Sequence, residues 1–284
     1  MIFNASNPSE MPTSPFWIGF DEAREAVETL VDIASEPPEE RPICVILVGK
    51  SGMGKTSILR EAQRRIQAKF AHEHAKLKSD ATHNAMLRVV IPSNPTSIKI
   101  NLTLLWKQGA ILKNSLHRTA DLKVIDYLRE QGTRLVAIDN IHATLKASGG
   151  ARRDTLDAMR FLMSEGTTPM VLAGLDIAAE VFGEDEELAQ RSIVLRLAPW
   201  QPGEQTQKII RDLARGLGLF DPDHFAEPKF AKCLYERSGG ITGQFIRLMR
   251  WGQKMADRDQ RSLVEFRDLQ KAAKLFPRSS PSTI

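Results

Sequence analysis

Ile43-Cys44-Val45-Ile46-Leu47-Val48-Gly49-Lys50-Ser51-Gly52-Met53-Gly54-Lys55-Thr56-Ser57 is the stretch on which the fold turns. Its first six residues are continuously apolar, as a strand buried on both faces of a parallel sheet must be. Gly49 to Thr56 then match GxxxxGK[ST] in full, between that strand and a helical segment running from Thr56 to about Ala75. Glycines let a backbone curl so that successive N–H groups point inward at a phosphate. Lys55 is placed to reach the β- and γ-phosphates of a nucleotide, and the Thr56 hydroxyl to ligate Mg²⁺. Gly49, Lys50, Ser51, Gly52, Met53, Gly54, Lys55, Thr56 and Ser57 are therefore the candidate nucleotide-binding residues, with ATP and Mg²⁺ the expected cofactors.

A phosphate loop needs a second acidic group for its metal. Leu135-Val136-Ala137-Ile138-Asp139 supplies four apolar residues ending in a carboxylate, the way a strand delivers an aspartate beside such a loop. Thr56 and Asp139 are the expected metal-shell pair. Hydrolytic proteins of this class mostly place a glutamate next, to polarise the attacking water; here the residue is Asn140. An amide can hold a water but cannot take its proton. The chain is therefore expected to bind ATP and to hydrolyse it slowly, or not at all, unless another carboxylate is borrowed.

Outward from these motifs, apolar runs and helical periodicities alternate. Strands are expected at 43–48, 86–91, 135–138, 170–173 and 193–197, with helices at 21–34, 56–75, 102–116, 122–131 and 155–164. That order predicts an α/β domain with a parallel sheet flanked by helices. After Pro199-Trp200-Gln201-Pro202-Gly203 the pattern is wholly helical, with segments near 204–217, 228–238, 243–256 and 264–275 forming a small bundle or lid. The expected division is an arm at 1–20, a nucleotide-binding domain at 21–200, a helical lid at 201–276 and a loose tail at 277–284.

Composition narrows the classes. Of 284 residues, 42% are hydrophobic and 26% charged, which fits a globular chain. No apolar run is long enough to span a bilayer, and Met1 to Pro15 lacks the cationic, apolar leader of a secretory signal. Two cysteines, Cys44 and Cys233, both in apolar surroundings, argue against a disulfide framework or cysteine zinc site and point to a reducing cytoplasm. His72, His74 and His83 have no cysteine or acidic cluster at ligand spacing beside them. The net charge of +4 is unevenly spread: residues 205–284 hold 15 basic and 9 acidic side chains, a net of +6. A basic C-terminal part suggests an anionic partner.

Taken in order, the motifs resemble those of an AAA+ ATPase, and in detail the transposition regulators TniB and TnsC. The pieces are Trp17-Ile18-Gly19-Phe20 with Ala26 ahead of the phosphate loop, Ile138-Asp139-Asn140-Ile141-His142 where the family usually reads Ile-Asp-Glu-x-His, and Pro169-Met170-Val171-Leu172-Ala173-Gly174. Leu188-Ala189-Gln190-Arg191, Leu197-Ala198-Pro199-Trp200 and Ser238-Gly239-Gly240-Ile241-Thr242-Gly243 complete the set. The resemblance covers about Trp17 to Leu275. It implies a protein that assembles on duplex DNA as a ring or helical filament when ATP is bound. It also implies presentation of the target to a partner transposase of the DDE type, with a targeting protein as a further partner. Arg191 falls where the family places an arginine that reaches the γ-phosphate of a neighbouring subunit, although Ser192 follows where an aromatic is usual. Two more positions depart from the family: Gly174-Leu175 stands for Gly-Thr, and Gln244 for an arginine, with Arg247 one turn on as a substitute. With Asn140, these changes favour a nucleotide-binding switch over a fast ATPase; Asp139, Asn140 and Arg191 remain the candidate catalytic positions.

Between the second and third strands lie Lys99, Lys107, Lys113, His117, Arg118 and Thr119. The resemblance places the DNA-lining elements there, with Lys99, Lys113, Arg118 and Thr119 the candidate contacts, made to phosphates and hence salt-sensitive and indifferent to sequence. A second basic stripe is Arg247, Arg250, Lys254, Arg258 and Arg261, all on one side if a single helix carries them. Arg152 and Arg153, beside Gly149-Gly150, are expected on a loop, and Trp200 and Trp251 as packing residues. Two other readings stay open: a loader ATPase of the replication-initiator kind, and an ATP-binding scaffold that does not touch DNA.

Overall fold

The computed structural model describes residues 17–74, 83–91, 95–110, 119–146, 149–183 and 185–276. The arm before Trp17 and the tail after Phe276 lie outside this set. By their contacts the described residues divide into two compact units, an α/β unit (Asp21–Gly49 and Lys55–Leu197) and a helical unit (17–20, Lys50–Gly54 and 198–276).

The α/β unit is built on five strands: β1 (Cys44–Gly49), β2 (Met86–Val90), β3 (Leu135–Asp139), β4 (Met170–Gly174) and β5 (Ser192–Leu197). They lie in the order β2-β3-β4-β1-β5, every pairing parallel. All residues of β1, β3 and β4 are buried, which is why they read as unbroken apolar runs. β5 is an edge strand, and Ile193 and Val194 on it are exposed. Helices α1 (Asp21–Ile33), α2 (Lys55–His74), α3 (Ser97–Lys107), α4 (Ala120–Glu130) and α5 (Gly149–Gly166), a 3₁₀ segment (Ile141–Lys146), and short helices α6 (Ile177–Gly183) and α7 (Glu186–Gln190) make up the rest. Ile46, Leu87, Val124, Leu162 and Leu172 meet in one core, each fully buried aliphatic side chain stabilising the unit by roughly 1.5–3 kcal/mol. Cys44 belongs to this core, and burial pushes its thiol up to about 12.

Two sequence expectations change here. The helix expected over 102–116 runs instead from Ser97 to Lys107, started five residues earlier because the Thr96 side chain accepts from the Lys99 N–H at 3.3 Å. Residues 111–116 are outside the described set. Arg152 and Arg153 are not on a loop: α5 begins at Gly149 and carries both.

In the helical unit, α8 (Glu204–Gly216), α9 (Pro222–Ala226), α10 (Pro228–Ser238), α11 (Thr242–Arg258) and α12 (Phe266–Leu275) surround Ile210, Leu213, Phe225, Leu234, Phe245 and Met249. Trp200 packs into this core edge-on to Phe20 at 4.6 Å, and its indole N–H donates to the Thr242 hydroxyl at 2.9 Å. α11 continues through Gly252, and that glycine makes room for close packing: a Cβ there would sit 2.9 Å from a Leu269 methyl and 3.1 Å from a Val264 methyl. The helix ends at Arg258, and Gln260 then turns the chain with a left-handed φ of 57°. Arg261 is thereby taken off the basic stripe expected from spacing. It pairs instead with Asp259, Glu265 and the buried Asp268.

Candidate nucleotide-binding site

The carboxyl ends of β1, β3 and β4 are in register, with Val48 opposite Gly174 and Asp139 opposite Ala173. A parallel sheet presents its binding crevice at that edge. Gly49, last in β1, has φ 154°, and a Cβ there would lie 2.6 Å from the Leu197 carbonyl oxygen. Only glycine lets the loop leave the strand at that point. The turn is closed by the Met53 N–H donating to the Lys50 carbonyl at 3.3 Å. Gly52 and Gly54 also have positive φ. The tip of the loop, Lys50–Gly54, groups with the helical unit, where the Gly243 N–H donates to the Gly52 carbonyl at 2.8 Å.

α2 opens at Lys55, so its first N–H groups and the positive end of its dipole sit at the loop. The Lys55 ammonium donates to the Gly49 carbonyl at 2.6 Å, which folds the side chain back toward the end of β1. Burial lowers its pKa below that of an ordinary lysine, against the opposing pull of Asp139 and Asp176. The Thr56 hydroxyl donates to Asp139 Oδ2 at 2.7 Å. Two hard oxygen donors from separate elements thus meet at the sheet edge, the donor chemistry that Mg²⁺ takes. Triphosphate and metal fit the residues that the α/β unit brings together: Lys55 and the α2 terminus for the anion, Thr56 and Asp139 for the ion.

Asn140 follows with φ 68°, and its N–H donates to Asp139 Oδ1 at 2.8 Å. Asparagine is among the few non-glycine residues that take this left-handed backbone readily. Asp176, beyond the end of β4, was not among the sequence candidates. It acts electrostatically on Lys55 and is ion-paired to Arg196 of β5. Its one sequence signal was a carboxylate shortly after an apolar strand that flanks the loop strand.

Arg191 sits at the opposite end of the sheet. Its carbonyl accepts from the Cys44 N–H at 2.9 Å, at the start of β1, one strand length (about 17 Å) from Gly49. Its guanidinium is largely buried, donating to Glu187 at 3.0 Å and to the Ser164 hydroxyl at 3.4 Å. Gln244 is half-buried near the start of α11, and the Arg247 guanidinium lies 4.9 Å from the centre of the Phe276 ring. Lys99 is exposed on α3, and Thr119 is exposed at the start of α4, its hydroxyl making no capping bond. Lys113, His117 and Arg118 lie outside the described residues. Among the described residues no helix is long and apolar enough to cross a membrane.

The fold has known relatives. The Aeropyrum pernix ORC2 protein, solved as ADPNP-ADP complexes, superposes with a TM-score of 0.66 at 16% identity, over 89% of this chain and 66% of its own. The ORC1 protein of Aeropyrum pernix in complex with DNA gives 0.64 at 18% identity, over 89% and 64%. The Thermotoga maritima RuvB Holliday junction branch migration motor gives 0.53 at 15%, over 91% and 70%. The chain thus spans slightly less than two thirds of the ORC proteins, and these likenesses establish an AAA+ P-loop fold with a helical C-terminal unit. No curated protein matches the chain. The sequence pattern described as Bacterial TniB protein matches residues 10–202, well over half of the chain, and the chain belongs to the TniB family.

Proposed function

We propose that this chain is an ATP-gated, DNA-binding regulator of transposition that oligomerises on duplex DNA and offers the target to a DDE-type transposase. The observation carrying this reading is the bond between Thr56 and Asp139 in a chain that has a complete phosphate-loop sequence and belongs to the TniB family. ATP is held by the loop N–H groups and Lys55, with Mg²⁺ shared by Thr56 and Asp139. Bound Mg²⁺ supplies charge neutralisation between the phosphates. Asn140 holds a water without accepting its proton, so the nucleotide-bound state is long-lived. Arg191 is too far from its own loop to meet its own nucleotide, so it acts on that of a neighbouring copy. Lys99 and Thr119 contact DNA phosphates. Similarity in fold to an ORC1 protein solved with DNA supports a nucleic-acid role.

The test is fluorescence anisotropy of a labelled duplex with ATP, ADP and no nucleotide, over a salt series. Binding that needs ATP and falls steeply with salt upholds the reading. Binding indifferent to nucleotide cuts the tie between loop and DNA, and no binding in any state leaves the protein scaffold as the better account. Turnover as brisk as a loader ATPase's would favour the replication-initiator alternative.

A further inference from the structure

The outer face of α11 carries four cations, Arg247, Arg250, Lys254 and Arg258, with Trp251 among them. Their spacing of three, four and four residues holds them within roughly 100° of arc over about 16 Å of helix. Among the described residues none of the four has an ion-pair partner. Four other arginines of the same unit are ion-paired, Arg211 to Asp223, Arg215 to Asp212, Arg267 to Glu265 and Arg261 to Asp268. Of the two carboxylates beside Arg258, Asp257 accepts a hydrogen bond from Gln253 and Asp259 is paired with Arg261. The stripe is also ordered. Arg247 lies over the Phe276 ring at 4.9 Å, Phe276 meets Trp251 edge-on at 5.7 Å, and Lys254 lies over Trp251 at 4.9 Å.

Four like charges lined up without counter-ions cost the folded state self-repulsion. A polyanion with charges repeating along a line relieves it, and ring contacts that limit the freedom of the long side chains reduce the entropy lost on binding. A phosphodiester backbone has that repeat. We infer that the α11 face is a second nucleic-acid surface, on the helical unit, which binds two or three backbone phosphates without reading sequence. This inference rests on the DNA-binding reading above, but its site is separate from α3 and needs no particular nucleotide state.

The experiment compares the full chain with the triple variant Arg250→Gln, Lys254→Gln, Arg258→Gln on a fluorescein-labelled mixed-sequence duplex, in ATP, in ADP and without nucleotide, across a salt series. Lys254→Arg serves as the conservative control, and binding of a fluorescent ATP analogue with the thermal midpoint shows that the variant is folded. The triple variant is expected to bind about 10- to 30-fold more weakly at moderate salt, with the log–log salt slope smaller by about 2–3, and Lys254→Arg to bind as wild type. Unchanged affinity and slope in a folded variant overturn the inference. So does loss of binding to polyglutamate with DNA binding intact, which would assign the face to an acidic protein. A slope change without ATP dependence upholds the surface while sinking the nucleotide switch. Wild-type binding that needs ATP but keeps its slope in the variant does the reverse.

Discussion

Thr56 and Asp139 are joined by a 2.7 Å hydrogen bond from hydroxyl to carboxylate, linking the start of α2 to the end of β3. A metal ion taking both oxygens would exploit a geometry already in place. Charged hydrogen bonds of this kind are worth about 1.5–3 kcal/mol, which corresponds to roughly 10- to 100-fold in binding. Asp139→Asn is expected to lose about that much affinity for ATP with Mg²⁺ and little for ATP in EDTA, as read by a fluorescent analogue. Equal losses with and without the metal would remove Asp139 from the metal shell.

Asn140 occupies a left-handed backbone, and a glutamate placed there meets a steric cost of about 1–2 kcal/mol. Asn140→Glu is therefore expected to lower the thermal midpoint while raising ATP turnover, and Asn140→Gly to hold the midpoint without raising turnover. Turnover unchanged by Asn140→Glu would show that the missing carboxylate is not what limits hydrolysis.

A mixing experiment separates action within a chain from action between chains. Arg191→Ala keeps an intact loop, and Lys55→Ala keeps an intact arginine. Each variant alone is expected to be defective in hydrolysis on DNA, and an equal mixture to recover a measurable fraction. No recovery, with both variants still co-assembling, would mean that Arg191 serves only its own subunit through Glu187 and Ser164.

Asp268 is a fully buried carboxylate in α12. Burial alone would raise its pKa, but hydrogen bonds from Arg261 and the Glu265 N–H, with the charges of Arg261 and Arg267, bring it below the ordinary aspartate value. Its stabilising contribution is therefore complete above about pH 4 and is lost as pH falls through the lower folded value. Asp268→Asn is expected to melt about 5 °C or more below wild type near neutral pH, the gap closing below about pH 4. A pH-independent gap would assign the loss to packing.

The features legible in the sequence were those in which local chemistry and tertiary role coincide. β1, β3 and β4 are buried on both faces, so burial writes itself as an apolar run, and the loop glycines are required by backbone geometry that no other residue supplies as cheaply. The elements that escaped were short: the 3₁₀ segment Ile141–Lys146, α6, α7 and α9, whose few residues show no period. Gly149-Gly150 read as a loop signal, yet α5 starts there, with propensity outweighed by its buried Met159, Leu162 and Met163. Asp176 was missed because its part in the site depends on strand order: only with β4 beside β1 does a residue after β4 act on Lys55. Arg261 was misplaced because periodicity cannot foresee a left-handed residue at Gln260.

The distance between Arg191 and Gly49 within one chain also bears on kinetics. If the arginine completes a site on another copy, hydrolysis is second order in protein at high dilution, and its rate per molecule measures local density. An isolated molecule then keeps its nucleotide, whereas crowded copies limit one another's lifetime, so the length of any array along DNA would be self-timed by its own packing.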